Sequence, residues 1–203
     1  MTKRDWDSSY ASGELPWDTG EPDENLVNAV HKGAVTPGRA LEVGCGTGTN
    51  AHWLAGEGFD VLGVDLSPLA VEKARQKGAG ARFEVGDFLK GPPPGPFSFV
   101  FDRGCFHVFD EAAERARFAE RVAALLGPGG VWLSLIGSTE GPPRDSGPPR
   151  RSAREVTAAI EPVLEVVELR AVRFGVVSDT AAHHAWQCLS RRRDVPAQPS
   201  TRR

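Results

Sequence analysis

Short runs of apolar residues alternate along this chain with longer segments whose apolar residues recur at helical spacing. The short runs are typical of buried strands and lie at residues 39–43, 60–65, 81–87, 97–102 and 131–137. The helical segments lie at residues 22–33, 49–58, 67–78, 110–130 and 152–160. Two more strand-like segments, 163–172 and 183–190, follow without a full helix between them. The pattern therefore predicts seven strands and five helices.

The order of these elements predicts the fold class. Strand and helix alternate five times, which indicates a doubly wound α/β fold with a mostly parallel sheet and helices on both faces. The last two strands are close enough in sequence to form an antiparallel hairpin at the sheet edge. We expect one domain over residues 1–190, since 203 residues with 40% hydrophobic content can bury a proper core.

Charge and cysteine content exclude several classes of protein. The formal net charge of −3 gives no general case for nucleic-acid binding, and we expect no such partner. The last thirteen residues, 191–203, are basic, and we expect them to form a disordered tail. We expect a soluble cytoplasmic protein without membrane contact. The three cysteines show no paired spacing, the first ten residues are polar, and no apolar run is long enough to span a membrane.

The stretch LEVGCGTGTN, at residues 41–50, indicates a nucleotide site. Its glycines are spaced G-x-G-x-G, whereas the dinucleotide fingerprint G-x-G-x-x-G needs a glycine where this chain has Thr49. An acid, Glu42, precedes the loop, and Asp65 ends the second strand, where acids accept hydrogen bonds from ribose hydroxyls. The loop follows a predicted strand and opens a predicted helix, so the ligand would lie at the carboxyl edge of the sheet.

This combination resembles the class I S-adenosylmethionine (SAM) methyltransferases, which have a Rossmann-like fold. The resemblance covers about residues 1–190 and implies SAM as cofactor, with S-adenosylhomocysteine as product. It implies that Asp65 holds the ribose and that Arg103 lies near the methionine part through its backbone. The other residues that it implies at the cofactor are Glu42, Gly44, Cys45, Gly46, Gly48, Leu66 and Phe88, with Asp87 at the adenine amino group.

Two further stretches resemble the branch that contains thiopurine, thiol and halide methyltransferases. The first is DWDSSYASGELPWDTGEP at residues 5–22, and the second is FDRGCFHVF at residues 101–109. The resemblance implies that the segment 1–33, with its P-W-D-x-G motif, folds over the cofactor. It also implies that the D-R-G motif at 102–104 faces the substrate and that the segment 146–156 is a substrate loop.

The chemistry of methyl transfer suggests roles for several side chains. Aromatic faces attract a sulfonium cation, so we expect Trp6 and Trp17 to wall the transfer chamber. Candidate catalytic residues are Asp18, which could take a proton or hold the N-terminal segment, Arg103, which could attract an anion, and His107, whose ordinary pKa suits proton transfer. Cys105 would be a pocket wall.

The loop before the last helix carries Arg144, Arg150 and Arg151, which could clamp an acidic substrate or keep the loop solvated. Trp53, Trp132 and Trp186 lie on predicted core elements and are expected to pack there. Cysteines and histidines show no metal-ligand spacing, and we expect no metal.

The favoured hypothesis is methyl transfer by direct displacement to a small soft nucleophile: a thiol, or a related chalcogen or halide. The alternatives are an O- or N-methyltransferase of a larger metabolite, a nicotinamide-dependent oxidoreductase and a non-catalytic SAM-binding protein. The residues do not distinguish a monomer from a homodimer.

Overall fold

The computed structural model describes residues 6–143, 147–175 and 183–193. Within these ranges, no helix has the length and apolar character needed to cross a membrane. Seven strands form one sheet in the order β3-β2-β1-β4-β5-β7-β6. The strands are β1 Arg39–Val43, β2 Asp60–Asp65, β3 Arg82–Val85, β4 Phe97–Arg103, β5 Leu126–Gly137, β6 Glu165–Arg173 and β7 His184–Arg191. The helices are α1 Trp6–Ser12, α2 Glu24–His31, α3 Thr49–Gly56, α4 Pro68–Gln76, α5 Ala112–Leu125 and α6 Ala153–Ile160.

Strand direction confirms the predicted fold class. Strands β1 to β5 pair in parallel, whereas β7 pairs antiparallel with both β5 and β6. The last two strands therefore form the expected hairpin, with β6 at the edge of the sheet.

Side-chain alternation divides the core between the two faces of the sheet. Leu41 and Val43 of β1 pack with Phe118 of α5 and with α6. Ala40 of the same strand packs with apolar residues of α2, α3 and α4 on the opposite face. Because successive strand residues point to opposite faces, both sides of the central strands are buried, as the continuous apolar runs predict.

Helix capping shows why several elements begin where they do. Ser67 accepts a hydrogen bond from the Ala70 N–H, and Pro68 occupies the first position of α4. Ser152 and Glu155 form a capping box at the start of α6. Both helix starts lie within one residue of their predicted positions.

The helices differ from the prediction in several places. Residues 6–12 form a short helix, α1, in a segment where no helical pattern was predicted. Helix α5 ends at Leu125, and the residues after it, predicted as the helix end, already belong to β5. Helix α2 begins at Glu24 because Asp23 is its N-cap, so the predicted start at 22 is two residues too early.

The predicted basic tail is also too long at its start. Arg191 belongs to β7 and pairs with Glu165 at 2.7 Å. Arg192 donates to the Leu126 carbonyl, and Arg193 donates to the Leu164 carbonyl. These three arginines are therefore part of the folded domain, and the expectation of a disordered tail now concerns residues 194–203, which lie outside the described residues.

The order in which successive strands join the sheet reverses between β1 and β4, and the candidate site lies at this point. The chain continues from β1 to β2 on one side, while β4 lies on the other. The loops that follow β1 and β4 meet there: a Cβ atom on Gly44 would lie 2.9 Å from the Cys105 Cβ. Crevices of this kind at the carboxyl edge bind ligands in open α/β sheets.

Candidate active site

The glycine loop after β1 adopts a backbone that only glycine accommodates readily. Gly44, Gly46 and Gly48 have φ of 70°, 54° and 78°. Space is also limited: a Cβ on Gly48 would lie 2.7 Å from the Phe83 ring, and one on Gly46 would lie 3.0 Å from the Tyr10 hydroxyl. The loop therefore combines a fixed left-handed backbone with close neighbours on two of its sides.

Asp65 shapes this loop from the end of β2. Its Oδ2 accepts a hydrogen bond from the Gly46 N–H at 2.8 Å, and its Oδ1 accepts one from the Ser67 N–H at 2.9 Å. Burial raises the pKa of the Asp65 carboxyl, although these backbone donors oppose the rise. Each carboxylate oxygen retains acceptor capacity beyond one hydrogen bond, so the predicted contact with ribose hydroxyls remains chemically feasible.

Glu42 is almost fully buried near the end of β1. The Asn50 side chain donates to its Oε1 at 3.1 Å, whereas its Oε2 is buried without a hydrogen-bond partner. Burial raises the pKa of the Glu42 carboxyl to about 8, in spite of the hydrogen bond from Asn50. Without a ligand the carboxyl therefore holds a proton at neutral pH, and a cationic donor bound at Oε2 would favour its ionised form.

Apolar residues at the ends of β2 and β3 form an exposed strip. Leu66 follows β2 and is 36% exposed, and Val85, the last residue of β3, is 50% exposed. Asp65 and Val85 are partners in the parallel register, so Leu66 and Val85 lie at the same edge of the sheet. The resemblance implied Leu66 among the cofactor residues, whereas Val85, exposed at the same edge, was not indicated by the sequence.

Asp87 and Phe88, both expected at the cofactor, have different surroundings. Asp87 accepts a hydrogen bond from the Leu89 N–H at 3.1 Å and pairs with Lys90 at 3.1 Å. The Phe88 ring is buried against Phe118, with 4.8 Å between ring centroids. The Phe88 side chain thus belongs to the core beneath α5.

Three aromatic side chains of the N-terminal segment meet over the glycine loop. The Trp6 and Tyr10 rings both lie edge-on to Trp17, at centroid distances of 5.8 and 6.2 Å. The Tyr10 hydroxyl is adjacent to Gly46, and burial, followed by the negative charge of Asp65, raises the pKa of Tyr10. The sequence predicted the two tryptophans here and missed Tyr10, although Trp6 and Tyr10 stand four residues apart on one helix face.

Asp18 joins the N-terminal segment to the glycine loop. Its Oδ2 accepts a hydrogen bond from Thr47 at 2.5 Å, and its Oδ1 accepts one from Thr49 at 3.3 Å. The Lys77 ammonium donates to both threonine hydroxyls and lies 3.8 Å from Asp18. Burial would raise the pKa of Asp18, but the hydrogen bond from Thr47 and the charge of Lys77 outweigh it and the pKa is lowered. Of the two suggested roles, this geometry favours holding the segment over taking a proton.

Arg103, at the end of β4, also contacts the N-terminal segment. Its Nε donates to Asp23 Oδ2 at 2.7 Å, and its NH1 donates to the Trp17 carbonyl at 2.9 Å. The Asp23 side chain is completely buried and also caps α2 through the Asn25 N–H. The Arg103 charge is therefore balanced within the protein, which disfavours the suggested role of attracting an anionic acceptor.

His107 lies in a 3-10 turn, Phe106–Val108, after β4. The side chain is buried, and its Nδ1 accepts a hydrogen bond from the Gly137 N–H at 2.7 Å. A ring nitrogen that accepts a backbone N–H carries a lone pair, so the proton of the neutral ring is on Nε2. Action as a base through Nδ1 would require this hydrogen bond to break.

The neighbouring residues of the D-R-G stretch are buried as well. Asp102 points into the core, where its carboxylate accepts hydrogen bonds from the Phe106 N–H and the Trp132 Nε1–H, each at 2.9 Å. The expectation that the whole motif faces the substrate is therefore wrong for Asp102, which fixes the turn after β4 from below. Burial raises the pKa of the Asp102 carboxyl to about 6 and raises the pKa of the Cys105 thiol.

Arg150 and Arg151, near the end of the loop, form hydrogen bonds and an ion pair within the protein. Arg150 donates to the carbonyls of Ser138, Thr139 and Glu140. Arg151 is buried and pairs with Asp110 at 2.8 Å. Both guanidinium groups are bonded to groups within the protein, which disfavours the suggested role of clamping an acidic substrate. Arg144 lies outside the described residues.

The fold and this site together define a class I SAM-dependent methyltransferase, with a glycine loop after β1, an acid at the end of β2 and aromatic side chains closing over both. The family model described as thiopurine S-methyltransferase (TPMT) matches residues 1–192, and the chain belongs to that family. The branch inferred from residues 5–22 and 101–109 is thereby confirmed.

Similar proteins agree with this family. Probable thiol methyltransferase 2 of Arabidopsis thaliana is 34% identical over 150 residues, which are 71% of this chain and 65% of that protein. Thiocyanate methyltransferase 1 of Brassica oleracea is 31% identical over 173 residues, which are 82% of this chain and 74% of the relative. The match thus spans a little under two thirds of the length of the Arabidopsis protein.

Solved structures give the same fold. One, from work on the conversion of a disulfide bond into a thioacetal group during echinomycin biosynthesis, has a TM-score of 0.77 and 30% identity and covers 92% of this chain and 90% of that chain. Magnesium protoporphyrin IX methyltransferase from Synechocystis PCC 6803 with bound SAM has a TM-score of 0.67 and 16% identity and covers 84% of this chain and 77% of that chain. The second likeness concerns the fold alone.

Proposed function

We propose that this protein transfers the methyl group of SAM to a small soft nucleophile, most directly a thiol or a related chalcogen or halide species. The observation that carries the proposal is the hydrogen bond between Asp18 and Thr47, which holds Trp17 of the P-W-D-x-G motif beside the glycine loop. The names of the relatives, a probable thiol methyltransferase and a thiocyanate methyltransferase, support the same acceptor class.

The residues present suit SAM. The buried, unpartnered Glu42 Oε2 is matched to a donor-rich group such as the ammonium of the methionine part, and Asp65 is matched to ribose hydroxyls. Leu66 and Val85 offer apolar surface to a planar base. When bound, SAM supplies a methyl group on a positively charged sulfur, and its leaving group is a neutral thioether.

The aromatic side chains of the N-terminal segment would attract the cation and exclude water. Trp6 and Trp17 are held edge to face, so each ring has a fixed orientation. Asp18 stays ionised because Thr47 and Lys77 stabilise its charge, and in that state it keeps the segment closed on the loop. Exclusion of water and fixed geometry are the main contributions that an enzyme makes to a direct displacement.

The surroundings of the two candidate bases, Asp18 and His107, disfavour their acting as bases and so favour a soft acceptor. Asp18 has a lowered pKa, and the Nδ1 atom of His107 accepts the Gly137 N–H. An acceptor that needs a strong base, such as an alcohol, gains little from either group. A thiol, with an ordinary pKa of roughly 8.5, ionises appreciably near neutral pH without one. A small acceptor is supported by the closed N-terminal segment and by the small-molecule acceptors named for the relatives. The cellular location is a separate matter: we expect a reducing, cytoplasmic setting, because the three cysteines are free.

A matched acceptor panel tests the proposal. Thiophenol, phenol and aniline share one ring and differ in the nucleophilic atom, while hydrosulfide and iodide test small soft anions. S-adenosylhomocysteine release should be rapid with thiophenol or hydrosulfide and slow with phenol and aniline. Preference for phenol or aniline would instead support the O- or N-methyltransferase alternative, and tight SAM binding without turnover would support a non-catalytic protein.

A further inference from the structure

Phe174, directly after β6, packs between two residues that the sequence associates with the substrate side. The Arg103 guanidinium carbon lies 5.2 Å from the centre of the Phe174 ring. The His107 ring is edge-on to it, with 5.9 Å between centroids. Phe174 itself is buried, and no sequence motif indicated it. One ring from the far end of the chain thus contacts both β4 and the turn that follows it.

The backbone around Phe174 is fixed on several sides. Its N–H donates to the His183 carbonyl at 2.9 Å. The preceding carbonyl, of Arg173, accepts from the Asn25 side chain at 2.9 Å, and the following N–H, of Gly175, donates to Asp23 at 3.4 Å. A ring held by its neighbours in this way has a defined position, which is what a selective pocket wall requires.

The Phe174 ring is not needed to balance the charge of Arg103. The Arg103 charge is already balanced by Asp23, and its NH1 is bonded to the Trp17 carbonyl. The Phe174 ring therefore contributes mainly shape beside Arg103 and His107. The Trp17 carbonyl connects the same guanidinium to the N-terminal aromatic residues, so Arg103 lies between Trp17 and Phe174.

We propose that Phe174 is a specificity-determining residue whose ring walls the acceptor site beside Arg103 and His107 and limits the size of the nucleophile. This inference rests on the proposed function, since it concerns the acceptor of that same reaction. Removing the ring enlarges the site and admits bulkier thiols, while a larger ring restricts the site to the smallest acceptors.

Variants of opposite size test the proposal. The measured quantity is the ratio of kcat/KM for a naphthalene thiol to kcat/KM for hydrosulfide. Phe174→Ala and the milder Phe174→Leu should raise this ratio, by about tenfold for alanine, and Phe174→Trp should lower it. SAM affinity should change by less than about threefold, because the ring contacts none of the residues assigned to the adenine or ribose.

Phe59→Leu is the matched control. Phe59 is another buried phenylalanine of the same core cluster, and it directly precedes β2, at the opposite end of the parallel strands from the glycine loop. It should lower stability without changing the ratio. An unchanged ratio in all three Phe174 variants, or a parallel loss with every acceptor, would overturn the proposal.

A binding experiment separates this inference from the proposed function. Methyl naphthyl thioether is the product from the naphthalene thiol, and methanethiol is the product from hydrosulfide. The binding of each to the protein with S-adenosylhomocysteine can be followed by tryptophan fluorescence. Absence of turnover by the wild-type protein would contradict the proposed function. A size preference in binding that Phe174 variants leave unchanged would contradict the inference.

Discussion

The Arg103 guanidinium and the Asp23 carboxylate form an ion pair of 2.7 Å between residues 80 positions apart in the chain. Asp23 is also the N-cap of α2, and Arg103 also bonds the Trp17 carbonyl. This ion pair therefore links β4, helix α2 and the N-terminal segment that covers the glycine loop.

Removal of this arginine should destabilise the protein markedly. Arg103→Gln leaves the Asp23 carboxylate buried without its cation, which typically costs about 3 kcal/mol or more. The free energy of unfolding in urea measures the loss. Arg82→Gln is the control, because its pair with Asp60, at 2.9 Å, is exposed, and its loss should cost less than about 1 kcal/mol. Similar losses in the two variants would show that the buried pair has no special role.

The close approach of the two loops predicts a difference between glycine substitutions. Gly44→Ala places a Cβ 2.9 Å from Cys105, so the turn after β4 must shift as well as the glycine loop. Gly33→Ala has the same left-handed strain, with φ of 73° and no heavy atom within 4 Å of its Cβ. We expect both to lose about 1 kcal/mol of stability from strain, and only Gly44→Ala to lose SAM affinity and turnover as well. Equal SAM affinity in the two variants, measured by calorimetry, would contradict this.

The buried carboxyl of Glu42 should make stability depend on pH. Its folded pKa of about 8 lies above the unfolded value of about 4.3, so the folded state holds a proton that the unfolded chain releases. Its contribution to stability is thus largest below pH 4 and is lost as the pH rises towards 8, with a slope on the order of 1 kcal/mol per pH unit. Glu42→Gln should flatten this part of the profile, measured by urea unfolding between pH 5 and 8. The exposed Glu14→Gln should leave the profile unchanged. A wild-type profile as flat as that of Glu42→Gln over this range would count against the assignment.

Lys77 should control how firmly the N-terminal segment stays closed. Lys77→Met removes the donor to Thr47 and Thr49 and the charge near Asp18. We expect severalfold faster proteolysis within residues 6–20 and weaker SAM binding, with little change in global stability because the lysine is partly exposed. Lys32→Met, at the end of α2, supplies the comparison. If the segment were cut at the same rate in both variants, the Asp18 contacts would not hold it.

The sequence predicted those features that depend on neighbours along the chain. Apolar runs such as 39–43 marked buried strands, and Ser67 followed by Pro68 marked the start of α4. The glycine spacing and Asp65 predicted a ligand crevice at the carboxyl edge of the sheet, because the position of that edge follows from strand direction alone. Residues 49–56 opened a helix directly after the loop, as expected.

The features that sequence reasoning missed depend on contacts between distant segments. Nothing near Arg103 in the chain indicates that Asp23 neutralises it, and nothing near Phe174 indicates that it reaches β4. Helix α1 is too short and too polar to show a clear periodicity, so Tyr10 was overlooked. The D-R-G motif predicts the substrate side for Asp102 as well, but adjacent strand residues point to opposite faces, and Asp102 points into the core.

Direct detection of the methylated product tests the central claim most sharply. The protein is incubated with SAM carrying a deuterated methyl group and with thiophenol, and deuteromethyl phenyl thioether is quantified by mass spectrometry. The wild-type protein should form this thioether, Asp65→Ala should lose most of the activity, and Asp60→Ala, at the opposite end of the same strand, should keep it. Binding of SAM without formation of the thioether from thiophenol or any other thiol would contradict the assignment as a thiol methyltransferase.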